Sequence, residues 1–171
     1  MESVLWRARS EEGFGLIELL MAMTILNVGI LALVAAFQSG AFALKRASAT
    51  STAAAIADIQ LEKFRAITYS AIALDATAFG TVDTTYTGDV AYSSGELTQT
   101  CATPLPDYCK PVRSLTGPDG KLYRVDTYVI NDTVTASRTF KRVTVVVRDA
   151  NALSGRPLTR IASTFDVATG S

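Results

Sequence analysis

Between Phe14 and Phe37 the chain runs for 24 residues with one formal charge, Glu18. Thr24 and Asn27 are the only other marked polar interruptions. As an α-helix this stretch rises roughly 36 Å, enough to cross a hydrocarbon core of about 30 Å. A soluble amphipathic helix shows a polar face, and this one is apolar all round. A chain of 171 residues has too little material to wrap such a helix on every side. Membrane insertion is therefore expected. A secretory signal peptide has a shorter apolar region, about 7–15 residues, with a small-residue cut after it. Here the small residue, Gly13, precedes the run, and Ala43 or Ala47 would be a late cut. Residues 1–13 are polar, with Arg7 and Arg9 against Glu2, Glu11 and Glu12, and read as a cytoplasmic leader. A carboxylate facing lipid is costly, so Glu18 calls for a partner.

The bulk composition narrows the function. Acidic and basic residues balance at 16 each, which gives no electrostatic reason for direct nucleic-acid binding. There is no histidine, which removes the commonest general base and the commonest metal ligand. Two cysteines, Cys101 and Cys109, cannot complete a four-ligand zinc site. No nucleophile–base pair stands out, so the chain does not read as an enzyme, and no cofactor or metal is expected. Asp126 with Asp132, or Asp149 near Asn151, lack an EF-hand-like spacing and read as solvated turn residues.

The segment Gly13-Phe14-Gly15-Leu16-Ile17-Glu18-Leu19-Leu20 resembles the class III signal of type IV prepilins and type II secretion pseudopilins. That resemblance implies cleavage after Gly13 by a prepilin peptidase, which also acts as N-methyltransferase on the new terminal residue, Phe14. It also places Glu18 as the fifth residue of the mature chain. The stretch Ile25-Leu26-Asn27-Val28-Gly29-Ile30-Leu31-Ala32-Leu33 is similar to minor pilins of the PilV kind and to GspI-type pseudopilins. Many major pilins carry a proline where this chain has Ala35, which leans away from a major fibre subunit. The acidic leader departs from the basic leader usual in the family. The resemblance covers about the first 70 residues and implies a pilin-like α+β fold.

Cleavage would expose an α-amine that is largely cationic at neutral pH. In a bundle of such helices, Glu18 of one subunit can meet the Phe14 amine of its neighbour. A buried pair of this kind specifies register better than it adds stability. The alternative is an interfacial acid near a helix N-terminus, favoured by the dipole. Gly29 either permits close helix approach or is simply tolerated in lipid, and the family pattern favours close approach. Asn27 could bond across helices or to interfacial water.

Lys45 and Arg46 end the apolar run and suit the far membrane boundary. Helical periodicity continues through Ile56, Ile59, Phe64 and Ile67, so one helix of about 50 residues is expected, from Phe14 to near Ile67. Its half from 14 to 44 would be the transmembrane and assembly segment, and 45–69 the soluble segment. That stripe would dock a sheet. Asp58, Glu62, Lys63 and Arg65 would face solvent, with Glu62 and Arg65 within pairing reach.

Residues 70–171 form the expected β-rich head. An irregular strand is expected at Val82–Tyr86 or Val90–Tyr92. Gly117-Pro118-Asp119-Gly120 marks a turn into a strand over Lys121–Ile130. Asn131-Asp132 marks the next turn, and strands follow at Arg138–Arg148 and Leu158–Val167. The result would be an antiparallel meander with one face on the helix and the other toward water or neighbours. With the head outside the cytoplasm, Cys101 and Cys109 are expected to form a disulfide that pins the loop between them, or frames an exposed recognition tip.

Two functions fit these expectations. One is a structural subunit, a minor pilin or pseudopilin, anchored in the inner membrane and joining other pilins through the N-terminal helix. The other is a membrane-anchored extracytoplasmic binding module that never assembles.

Overall fold

The computed structural model describes residues 15–135 and 138–167. Gly13 and Phe14 lie outside them. The chain divides into two units between Lys45 and Arg46, and helix α1, Leu16–Arg65, contributes to both.

In the first unit α1 opens with Glu18 N and Leu19 N donating to Gly15 O. Glu18 in the first turn complements the helix dipole, as Lys63 and Arg65 do in the last. Every residue from Leu16 to Leu44 is exposed within the chain. A backbone that satisfies its own hydrogen bonds while its side chains stay apolar is what a bilayer requires.

From Ala49 onward the helix becomes one-sided. Ala49, Ala53, Ile56, Ala57, Gln60, Leu61 and Phe64 are buried, at spacings of three, four and one that define a single face. Ile67 packs at its edge, whereas Ile59 is 57% exposed and does not belong to the docking stripe as expected. Position 59 falls between the buried rows 56–57 and 60–61, and points away from the sheet. The helix ends where Thr68 turns extended before a 3-10 turn at Tyr69–Ala71. Lys141 Nζ donates to Tyr69 O at 2.8 Å and Ile72 O at 2.9 Å and fixes that turn. Burial lowers the Lys141 pKa.

The chain then forms β1, Leu74–Asp75, and two one-turn helices, α2 (Ala76–Phe79) and α3 (Thr84–Thr87). Next come β2 (Thr98–Gln99), parallel to β1, and a 3-10 turn at Asp107–Cys109. Four strands close the head: β3 (Val112–Thr116), β4 (Leu122–Thr135), β5 (Arg138–Asp149) and β6 (Thr159–Phe165). They form an antiparallel sheet in chain order, one strand more than expected because β3 was not foreseen. No strand forms at Val82–Tyr86 or Val90–Tyr92. Asp83 accepts from Tyr86 N and starts α3, and Asp89 accepts from Ala91 N, so both aspartates impose turns.

Asn131 and Asp132 do not turn the chain. They continue β4, opposite Lys141 and Phe140 of β5, and the pairing runs on to Thr135 opposite Arg138 after a register shift between Thr133 and Thr135. A long partner strand overrides the local turn preference of an Asn-Asp pair. The β3–β4 turn is where expected. Gly120 adopts φ +73°, and a Cβ at Gly117 would come within 2.7 Å of both Asp119 Oδ1 and the Tyr123 ring.

The inner sheet face carries Tyr123, Val125, Val129, Val143, Val145 and Val147 against Ala53, Ile56, Ala57, Leu61 and Phe64 of α1. This is a pilin-like α+β arrangement. The outer face, expected toward water or neighbours, is in part covered by the chain itself. Tyr128 and Val146 are buried there beneath Tyr86, with Phe79, Val82 and Tyr92 packed alongside. Tyr86 and Tyr128 stack with ring centroids 4.3 Å apart. Tyr86 Oη donates to Thr127 O at 2.7 Å, and Tyr128 Oη to Tyr86 O at 3.0 Å. The weakly patterned segment after α1 is thus a lid that gives the sheet a second, smaller core.

Candidate functional site

The N-terminal half of α1 carries the predicted site residues that lie within the description. Glu18 is exposed and forms no ion pair among the described residues. Its predicted counterpart, the Phe14 amine, lies outside them, as does the scissile Gly13–Phe14 bond. Leu16 and Phe37 are each 78% exposed. Thr24 satisfies its hydroxyl within the helix, donating to Met21 O at 2.8 Å. A Cβ built on Gly29 would meet nothing within 4 Å, and the same holds for Gly40. Packing within this chain therefore demands neither glycine. Leu33, Ala36, Phe37, Gly40, Ala41 and Leu44 outline a shallow apolar groove of about 480 Å³, which sequence reasoning missed. Its signal was the recurrence of small residues at position 36 and, about one helical turn on, at positions 40 and 41.

In the second unit Cys101 and Cys109 are joined by a disulfide with Cα atoms 6.5 Å apart. Closing a loop this short constrains the unfolded chain by about 2.5 kcal/mol. The loop is strapped to α1. Gln60 Nε2 donates to Asp107 O at 3.3 Å, Lys63 Nζ to Asp107 Oδ2 at 3.1 Å, and Phe64 meets Tyr108 edge-on at 6.3 Å. Asp107 also accepts from Lys110 Nζ at 3.0 Å and from Arg113. These cations, Lys110 first, hold its carboxyl well below the usual range. Lys63 is therefore not part of a purely solvated face, whereas Arg65 and Glu62 pair across one turn as expected.

On the outer sheet face six charges alternate in a chain that no spacing in the sequence announces. Arg124 donates to Asp83, with Nη2 at 2.7 Å from Oδ1, and through Nε to Asp126 Oδ1 at 2.7 Å. Arg148 Nε lies 3.5 Å from Asp126 Oδ2, at ion-pair distance but out of line for a hydrogen bond. Arg148 Nη2 donates to Asp89, which also accepts from Arg160 Nη2 at 2.7 and 2.8 Å. The Arg124 guanidinium holds Asp83 at about 2. Burial pushes Asp126 up, against Arg124 and Arg148, which favour its ionised form. Asp126 is thus fully buried in this network and not the solvated residue expected from sequence.

Glu96 stands apart from that network. Its Oε2 accepts from Val129 N at 2.7 Å, and burial raises its pKa to about 7. Among the described residues no group of three or more Cys, Asp or Glu side chains is placed to hold a metal ion.

Residues 8–34 match the model of the prokaryotic N-terminal methylation motif. No characterised protein and no solved structure matches the chain. The motif spans the start of α1, including Glu18 and Gly29, and ends within the exposed apolar half. It implies processing by prepilin peptidase and a membrane-anchored, pilin-like chain with an extracytoplasmic head.

Proposed function

We propose that this chain is a structural subunit, a minor pilin or pseudopilin, incorporated into a type IV pilus or a type II secretion pseudopilus. Its place would be in a tip or priming complex. The observation that carries the reading is the methylation motif at the head of a helix whose apolar half is exposed throughout. In this reading residues 1–13 are the leader that is removed, and Phe14 becomes the methylated N-terminus. Residues 14–44 hold the subunit in the inner membrane and then in the fibre core. Residues 45–69 stiffen the head, and 70–171 form the surface it displays.

Glu18 gives the assembly its register. Beside lipid headgroups its charge is partly solvated, but in a packed bundle an unpaired carboxylate costs several kcal/mol. The Phe14 amine of an adjoining subunit relieves that cost at one axial offset only. Gly29 and the groove around Gly40 let neighbouring helices approach closely, with van der Waals packing as the driving force. The test is Glu18→Ala in the producing cell. Membrane insertion stays at the wild-type level, while recovery of the protein in the sheared or extracted filament fraction falls at least tenfold. Normal recovery of the variant in filaments contradicts the reading.

A further inference from the structure

The head carries a groove of about 440 Å³ in which Arg46, Arg156 and Arg160 converge with Thr50, Leu158 and Thr159. Among the described residues no carboxylate lines it. We propose that this groove binds the phosphate of an anionic phospholipid headgroup, an inference that rests on the membrane anchoring proposed above.

Three features support it. Arg46 lies two residues beyond Leu44, roughly 3 Å of helix rise past the apolar segment, so it sits by covalent connection at headgroup level. Long basic side chains at that depth reach for phosphate. Arg46 and Thr50 stand one turn apart on the same helix face, and the Thr50 hydroxyl donates to Arg46 O at 3.0 Å. That proton is spent within the helix, the guanidinium groups are the groove's charged donors, and their planar forks match phosphate oxygens two by two.

The groove is also built, not incidental. Arg148 Nη1 donates to Gly155 O at 3.2 Å and so positions the loop that presents Arg156. Arg160 commits only Nη2 to Asp89, an acid already shared with Arg148. Asp89 is thus met by two guanidinium groups, and the three arginines of the lining leave the groove with excess positive charge. A zwitterionic headgroup would bring its own cation against three arginines, so a net anionic lipid is preferred.

The test uses the full chain, reconstituted into nanodiscs of phosphatidylcholine containing one-fifth phosphatidylglycerol. Lipids retained on release are counted by native mass spectrometry. Phosphatidylglycerol is enriched over phosphatidylcholine, and Arg46→Gln with Arg156→Gln lowers the enrichment about 30-fold, the size expected for two cations at an anionic surface. Arg142→Gln, an exposed cation elsewhere on β5, leaves it unchanged. Should the double variant misfold by urea titration, Arg156→Gln alone carries the test, with about a fivefold loss. Failure of the wild type to enter nanodiscs overturns the anchoring and this inference together. Entry without lipid preference, or a preference that survives the double variant, overturns this inference alone. Retention of inorganic phosphate without phosphatidylglycerol does the same. So does an unchanged lipid preference combined with lost filament incorporation, which would assign the groove to an acidic neighbouring subunit.

Discussion

The two halves of α1 treat their side chains in opposite ways. From Leu16 to Leu44 nothing is buried, and the one acid, Glu18, has no ion partner among the described residues. From Ala49 to Phe64 one face is sealed against the sheet, and in the head Asp83, Asp89, Asp107 and Asp126 are met by arginines and lysines. The first half is incomplete as a structure in water, and its missing contacts must come from lipid or from other chains. The second half is complete within the chain. A single helix therefore belongs to two folding problems, one solved within the molecule and one solved only in its surroundings.

That contrast can be broken from either side. The largest effect is expected in the head at Asp126. Asp126→Ala removes the buried acid between Arg124 and Arg148, leaving each with one acid partner, Asp83 and Asp89, and should destabilise the head by about 3 kcal/mol, read by urea unfolding of the full chain in detergent. A cost below 1 kcal/mol would mean that the outer core is looser than its six-charge chain implies. Replacing Cys101 and Cys109 together by Ser should cost about 2.5 kcal/mol in the same titration. Retained stability would assign the strapping of that loop to Lys63 and Asp107 alone.

Glu96 supplies a pH signature. Its folded pKa, about 7, lies above the unfolded value, so its contribution is fully favourable below about pH 4.5 and is lost as pH rises toward 7. Head stability should fall across that window by about 1–2 kcal/mol more in the wild type than in Glu96→Gln. The figure is smaller than the full shift implies because the side chain is partly exposed. Parallel pH profiles for the two proteins would contradict the burial of that carboxyl. The smallest effect is expected in the other half of the helix. Leu31→Ala should leave unfolding of the head within about 0.5 kcal/mol of wild type. A loss like that of a core leucine would show that residue 31 packs within its own chain.

How much of this was readable beforehand followed the range of the interactions. The long helix, the Gly117–Gly120 turn and the alternation of Val143, Val145 and Val147 are local patterns, and each appears where its period places it. The disulfide followed from compartment and spacing. What escaped depends on residues far apart in the chain. Asp83 meets Arg124 across 41 positions and Asp89 meets Arg160 across 71, and no local pattern encodes either pair. The lid over the outer face escaped for the same reason, since Tyr86 is one aromatic residue in a polar stretch until Tyr128 stacks on it. Asn131 and Asp132 misled because their turn preference is real but weaker than a ladder of strand partners. Glu18 was legible as an anomaly, and its significance comes from the residues around it.

The central claim is that α1 is completed by neighbours only after a peptidase has released its N-terminus. The most direct measurement is the N-terminal residue of the full-length protein extracted from its own membranes, read by Edman degradation and intact mass. The expected result is N-methylphenylalanine at Phe14, with residues 1–13 gone. A chain that still begins at Met1 would contradict it.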